Sequence, residues 1–306
     1  MEDAASDMNK VGCCYHPKLA AELGLRTAEQ LRDAVAPHVS ETWIASAWDE
    51  EATRKHVPGT DLLFCVGGDG TVLRAARAVV PHETLLFGVN MGRLGFLTEL
   101  DPKGALERVG DILGGSGRVE ERAMLHAEIV AAAADDSDKT PAHHDALNDV
   151  VIGRVALGRT MQVSVQVDGS LLADFRADGV IVATATGSTA YSLSVGGPIL
   201  PPESRDIVLT PVAPHLASRN SVILPPGSLI EVRLAAKQQA MVSVDGERDL
   251  DLSSGETLRV VLSPHRARFL RLSPPTDFYT RLARSVNWLR EGGAGSRISP
   301  GDEEPA

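Results

Sequence analysis

Leu62-Leu63-Phe64-Cys65-Val66-Gly67-Gly68-Asp69-Gly70-Thr71 is an unbroken apolar run that empties into three glycines around one carboxylate. Such a run predicts a strand buried on both faces of a parallel sheet. Val72, Leu73, Ala76 and Val79-Val80 follow at helical spacing, so the glycines form a strand-to-helix turn. Ligands of open α/β sheets bind outside the carboxyl ends of strands, where glycine and a helix N-terminus bring backbone N–H groups close to an anion. No Gly-Lys-Ser/Thr follows, which excludes the lysine-containing phosphate loop. The absence of Gly-x-Gly-x-x-Gly argues against a hydride-transferring enzyme. A carboxylate beside phosphates is electrostatically unfavourable unless it accepts a proton or holds a metal, and both roles suit phosphoryl transfer. The plainer alternative is a helix N-cap.

Working outward, Lys10–Tyr15, Thr42–Ala45 and Leu85–Val89 read as further strands, with helices over Leu19–Val35 and about Pro102–Leu113. This predicts an α/β domain with a Rossmann-like parallel sheet over residues 1–122. The rhythm then changes. Met161, Val163, Val165 and Val167 alternate with polar residues and run into Asp168-Gly169, a strong hairpin signal. Val180–Val182, Ile207–Leu209, Ile230–Leu234, Met241–Val244 and Leu258–Leu262 continue the pattern, so residues 123–276 are expected to form an all-β domain. A helix over 277–290 is expected to pack back on the first domain. Asp135–Lys139 reads as a loop tip and residues 291–306 as a disordered tail.

Composition narrows the function. The chain has 306 residues and 41 acidic against 30 basic side chains, a net charge of -11. That opposes sequence-independent nucleic-acid binding, which needs a basic surface, yet leaves small phosphorylated ligands open. No apolar stretch approaches a membrane span, and Met1–Asn9 lacks a secretory signal's features. Cys13, Cys14 and Cys65 make neither a disulfide framework nor a zinc spacing, so a cytoplasmic location is expected. His143-His144 beside Pro141 reads as solvent-facing, and Trp43, Trp48 and Trp288 as packing residues.

Two further stretches carry possible chemistry. Leu147-Asn148-Asp149-Val150-Val151-Ile152 places an amide and a carboxylate at the mouth of an apolar strand, suited to sugar hydroxyls or a base edge, or simply a turn. Asp178–Ala183 leads into Thr184-Ala185-Thr186-Gly187-Ser188-Thr189-Ala190-Tyr191, then Ser194-Val195-Gly196-Gly197-Pro198. Small residues admit a flat ligand to the backbone, and hydroxyls can bond ribose or phosphate without adding charge.

The ordered set resembles the NAD kinase family from about Val11 to Trp288. It comprises the Gly-Gly-Asp-Gly-Thr turn, Asn90-Met91-Gly92-Arg93-Leu94-Gly95-Phe96-Leu97, Leu-Asn-Asp-Val-Val-Ile, the run Asp178–Pro198, Pro214-His215 and Asp245-Gly246. The resemblance implies a kinase moving the γ-phosphate of ATP, or polyphosphate, to the adenosine ribose 2′-hydroxyl of NAD. It implies that Asp69 accepts the proton, that Gly67, Gly68, Gly70, Thr71 and Arg74 hold phosphates, and that Mg²⁺ is carried mainly by ATP phosphates and water, with no metal ligand assigned on the chain. Asp69, Gly70, Phe96, Asn148, Asp149, Arg159, Arg176, Asp178 and Asp245 would bind NAD, together with Thr186, Thr189, Ala190, Tyr191, Ser192, Leu193 and Ser194. The alternative for each of Arg74, Arg176 and Arg159 is a solvated surface arginine, and for Arg159 the two readings are even. Asp178 would act on the nicotinamide side, in the family often from a neighbouring subunit, so a homodimer or homotetramer is implied. Asp149 stands where glutamate is usual, Glu247 where glutamine is common, and Ala185 where proline is frequent. A lipid or sugar kinase sharing the glycine turn, or a non-catalytic dinucleotide sensor, is the competing reading.

Overall fold

The computed structural model describes residues 8–19, 22–92, 95–131, 143–156, 160–286 and 288. Strands β1 (Lys10–Tyr15), β2 (Glu41–Ser46), β3 (Leu62–Gly67) and β4 (Leu85–Asn90) lie parallel in the order β4-β3-β1-β2. β3 is buried at every position, as its unbroken apolar text requires. Helices α1 (Leu23–Val35), α2 (Glu50–His56) and α3 (Asp69–Val79) cover the sheet, leaving separate cores on its two faces. The single helix expected over 102–113 is two: α4 (Pro102–Glu107) and α5 (Val109–Leu113) meet at Arg108, which leaves helical geometry at φ -113 and ψ 16. A short strand β5 (Thr98–Leu100) runs beside β4.

Strands β6 (Arg118–Ala131) and β17 (Glu256–Arg271) form a long antiparallel pair that crosses from one half of the molecule to the other. Near Arg268 and Phe269, β17 lies parallel to β4; further upstream it lies antiparallel to β14 (Ile230–Leu234). Beyond β14 come β9 (Met161–Val167) and β10 (Ser170–Ala177), while β7 (His143–Ala146) edges β6. Among the described residues one sheet of eleven strands therefore runs through both halves. The boundary expected at residue 122 falls inside β6, so the β region is not a sheet apart. The register of β17 slips between Leu262 and Arg266, the irregularity that bends a strand and increases its twist.

A second, antiparallel sheet has the order β13-β12-β11-β8-β15-β16, from Val222–Leu224, Ile207–Val212, Gly179–Ala183, Asp149–Arg154, Gln239–Val244 and Arg248–Ser253. The inward residues of β9, Met161, Val163 and Val165, meet Val150, Ile152, Val180, Val182 and Val242 of this sheet in one core. Their alternation is what period-two text demands of a strand with one wet face. Asp168 and Gly169 have φ of 51 and 78, the left-handed pair that a two-residue hairpin between β9 and β10 needs.

Helix α7 (Asp277–Ser285) ends at Ser285, and the described residues Val286 and Trp288, inside the expected span to 290, lie outside it. It does return to the first half: Arg281 donates to the Gly95 carbonyl, and Phe278 lies 6.0 Å from the Phe96 ring. Trp288 is 70% exposed and is not a packing residue. Trp43 is buried and donates to Thr60, and Trp48 is half-buried. The three cysteines are buried, unpaired thiols. Among the described residues no helix is long and apolar enough to cross a membrane. The loop tip at 135–139 and the tail at 291–306 lie outside the described residues.

Phe269 is fully buried where β17 joins β4, and Arg122 and Arg271 both stack on its ring. Phe269→Ala should cost about 3–5 kcal/mol, read as a lower urea midpoint; an unchanged midpoint would show that the junction carries no stability.

Candidate functional site

The glycine turn closes at the end of β3. A Cβ on Gly67 would lie 2.1 Å from the Thr71 hydroxyl, so only glycine fits there, and Thr71 is turned inward against it. Gly68 and Gly70 are exposed and a Cβ on either would meet nothing within 4 Å. The turn thus presents open backbone at the first residues of α3, the environment a phosphate group needs.

Asp69 does not cap its own helix; Gly68 holds that position without a side-chain bond. Its carboxylate instead crosses to the loop before β5, where Oδ2 accepts from the Phe96 N–H at 2.9 Å and Oδ1 from the Leu97 N–H at 3.1 Å. Gly95 makes this approach possible, since a Cβ there would lie 2.2 Å from Oδ1. The loop's carbonyls are taken by cations from the far end of the chain. Arg271 donates to Leu97 O at 3.0 Å and to Phe96 O at 3.3 Å, and Arg281 to Gly95 O and Thr98 O. Each Asp69 oxygen keeps lone-pair capacity after accepting one N–H.

Behind this loop lies a buried ionic cluster. Glu120 pairs with Arg118, Arg122 and Arg271, and Glu99 with Arg271 and Arg281. Burial alone would push the Glu120 carboxyl up, but Arg122 and Arg271 hold it at about 2. Arg122 is pushed down to about 10 by burial and by Arg271, with Glu120 and Asp69 acting against that shift. Its Nη1 reaches the Thr186 hydroxyl at 3.3 Å, so one guanidinium lies between Asp69 and the hydroxyl-rich segment.

The second cluster is built around Asp245. Its buried carboxylate accepts from Leu147 N (3.0 Å), Asn148 N (2.7 Å) and Asp149 N (3.2 Å), fixing the entry to β8 (Asp149–Arg154) and leaving Asn148 half-buried. The Asn148 carbonyl accepts from Thr184 N at 2.9 Å, and a Cβ on Gly187 would collide with it at 2.0 Å. Residues 147–149 and 184–188 are therefore packed as one unit, buried except for the half-buried Asn148. Many of the hydroxyls in this run are spent on backbone carbonyls: Thr184 donates across to Leu147 O, and within the turn Ser188 donates to Ala185 O and Thr189 to Thr186 O. Buried hydroxyls must be bonded, and Ser192, fully buried in α6 (Tyr191–Ser194), is spent on Thr210. Tyr191 and Ser194 are exposed, and Thr189, Ala190 and Leu193 are half-buried.

Other candidates lie elsewhere. Arg176 is exposed near the end of β10, and Asp178 is paired with Arg154 at 2.9 Å. Both precede β11 (Gly179–Ala183), whereas Thr184 follows it, a separation of about 20 Å from Asp178 at strand rise. Arg74 contacts Glu247 at 2.7 Å and stacks 4.2 Å from the centre of the Trp48 ring. Glu247 also pairs with Arg77, so the departure from glutamine serves an ion-pair cluster. Arg159 lies outside the described residues. His143 is exposed, but His144 is half-buried and lines, with His126 and His265, a cleft of about 300 Å³ at the far end of α3. Among the described residues no three His, Cys, Asp or Glu side chains converge as metal ligands do. Sequence reasoning missed Arg122, Arg271 and Arg281; the signal was arginine set in apolar strand text, as in Arg268-Phe269-Leu270-Arg271.

A parallel sheet delivering a glycine turn and a carboxylate, joined to an antiparallel sheet with a polar strand mouth, defines a nucleotide-binding phosphotransferase. The ATP-NAD kinase N-terminal domain matches residues 11–116, and the ATP-NAD kinase C-terminal domain matches residues 147–272. An NAD kinase of Dehalococcoides mccartyi is 38% identical over 275 residues, 89% of this chain and 94% of that one. One from Chloroflexus aurantiacus is 36% identical over 90% and 97% of the two chains. Yeast NADH kinase complexed with NADH shares the fold at a TM-score of 0.78 and 22% identity, over 96% of this chain and 91% of that one. An Archaeoglobus fulgidus NAD kinase in complex with ATP aligns at 0.69 and 25% identity, over 90% and 98%. The chain belongs to the NAD kinase family.

Two predictions follow from the geometry. Gly95→Ala should force Asp69 off its two N–H donors, so turnover should fall at least about tenfold, roughly the loss of one transition-state contact, with NADP formation as the readout. Asp149 is pushed up from 3.8 to about 7 by burial and by the neighbouring Asp245. Its folded-state pKa lies above the unfolded one, so its stabilising contribution is full below about 3.8 and lost as pH rises through 7. Asp149→Asn should therefore gain stability relative to wild type between pH 5 and pH 8 in urea unfolding; a constant difference would mean that Asp149 is ionised throughout.

Proposed function

We propose that the chain transfers the γ-phosphoryl group of ATP to the adenosine ribose 2′-hydroxyl of NAD, with Asp69 as proton acceptor. The carrying observation is the Asp69 carboxylate, held by two backbone N–H groups at the lip of an open glycine turn and one guanidinium away from the Thr186 segment. Membership of the family and the ATP complex of the archaeal relative support the choice of substrates.

In this reading Gly68 and Gly70 offer backbone to the phosphates, and Asn148 and the exposed side of Thr189–Ser194 receive the dinucleotide. The 2′-hydroxyl gives its proton to Asp69 as its oxygen bonds to the γ-phosphorus, and the bond to the β,γ-bridging oxygen breaks to release ADP. A divalent cation, Mg²⁺ in this reading, offsets phosphate charge when bound, carried by phosphate oxygens and water. Arg74 is one turn from the glycines and can exchange Glu247 for phosphate. Polyphosphate offers the same terminal phosphoryl group, and a donor assay separates it from ATP.

Arg176 and Asp178 are a strand's length from the Thr184 end of β11, so they serve the site of a neighbouring subunit in a homodimer or homotetramer. The exposed Leu171 and Leu172 on the same hairpin supply apolar surface for that assembly. Unpaired thiols suit the reducing cytoplasm.

Asp69→Asn should lower kcat by about 10²–10⁴-fold, the usual worth of a general base, with NAD binding within a few-fold of wild type by calorimetry. Wild-type turnover in that variant would remove Asp69 from the mechanism.

A further inference from the structure

Helix α3 carries Asp69 at its first turn and Arg77 near its last, about 12 Å apart along the axis. Arg77 is 6% exposed and points its guanidinium at the second cluster. Nη2 lies 2.5 Å from Glu247 Oε2, and Nη1 lies 3.6 Å from Asp245 Oδ2. Asp245 is the carboxylate that gathers the N–H groups of residues 147–149, and its own N–H returns to the Asp149 carbonyl at 3.0 Å. It does this from the left-handed region, at φ 52. Asp149 places a second buried carboxylate beside it, so among the described contacts Arg77 is the cation that compensates this acidic pair.

We infer that Arg77 is a positioning residue: acting through Asp245, it sets the Asn148–Asp149 edge against the glycine turn, and so holds the acceptor hydroxyl in register with Asp69. This rests on the reading of Asn148 as a dinucleotide contact. The helix that begins at the phosphate turn is tied at its other end to the turn after β15, by a hydrogen bond to Glu247 and a longer 3.6 Å ion pair to Asp245. Without the guanidinium, Asp245 is left as a buried uncompensated charge. It then takes up a proton or moves toward water, and either response loosens its grip on three consecutive N–H groups. Arg77 touches neither substrate in this scheme. Its loss should therefore weaken the acceptor and leave the donor alone.

The test is a double-mutant cycle on the full chain with Arg77→Met and Asp245→Asn, measuring KM for NAD and for ATP and the NAD Kd by calorimetry. Each single variant should raise KM and Kd for NAD about tenfold and leave KM for ATP within twofold. Arg77→Lys should recover most of the loss. The double variant should be no worse than either single one, because both remove the same connection. It also removes cation and anion together, which keeps the test available if Arg77→Met alone does not fold. An unchanged NAD affinity, an equal rise in both KM values, or additive losses would each overturn the inference. If wild type binds NAD without forming NADP, the kinase reading fails while the calorimetric arm still decides the role of Arg77.

Discussion

A loop of four residues, Gly95 to Thr98, is held by charge on both edges. Asp69 takes the N–H groups of Phe96 and Leu97, and Arg271 and Arg281 take the carbonyls. No regular structure satisfies these backbone groups, and buried ones must be satisfied. The loop and the aspartate therefore define each other's position. The arginines are fixed in turn by Glu99 and Glu120, and their buried charges tolerate desolvation because every cation has a carboxylate partner.

The same logic extends along α3. Its N-terminus meets the clamped loop through Asp69, and its C-terminal turn meets the antiparallel sheet through Arg77, Asp245 and Glu247. The apolar cores hold the two sheets face to face without specifying a lateral register to fractions of an ångström. Directional ion pairs and hydrogen bonds supply that register, and they concentrate around the glycine turn and the entry to β8. A reaction that needs oxygen and phosphorus in line is sensitive to displacements of that size.

What could be read from the residues divides by range. β3 and its turn were legible because an unbroken apolar run meeting three glycines has few other solutions, and the β9–β10 hairpin because Asp168-Gly169 tolerates positive φ. Helix α2 was missed: Glu50–His56 buries only Thr53, so no apolar stripe marks it. β6 pairs with residues well over a hundred positions away, and no local pattern announces a shared sheet. In the candidate site, motifs single out Asp69, Asn148 and Asp149 as candidates. Their partners carry no such mark. Arg271 meets Phe96 across 175 positions, and nothing near residue 271 declares that its charge is spent on a loop next to the glycine turn. The hydroxyls of Thr184 and Ser188 show the opposite failure: in a run that reads as ligand groups, they are spent on the protein's own carbonyls, Thr184 on Leu147 and Ser188 on Ala185.

β17 belongs to both halves, and the cations that clamp the loop beside Asp69 come from it and from α7, far along the chain from the glycine turn. A ribosome that has synthesised the glycine turn, its aspartate and the loop beside it has still not fixed that loop, whose carbonyls wait for residues 271 and 281. Evolution faces the same coupling: the halves cannot be swapped between enzymes as independent cassettes, since a graft that exchanges one also exchanges the strand closing the other.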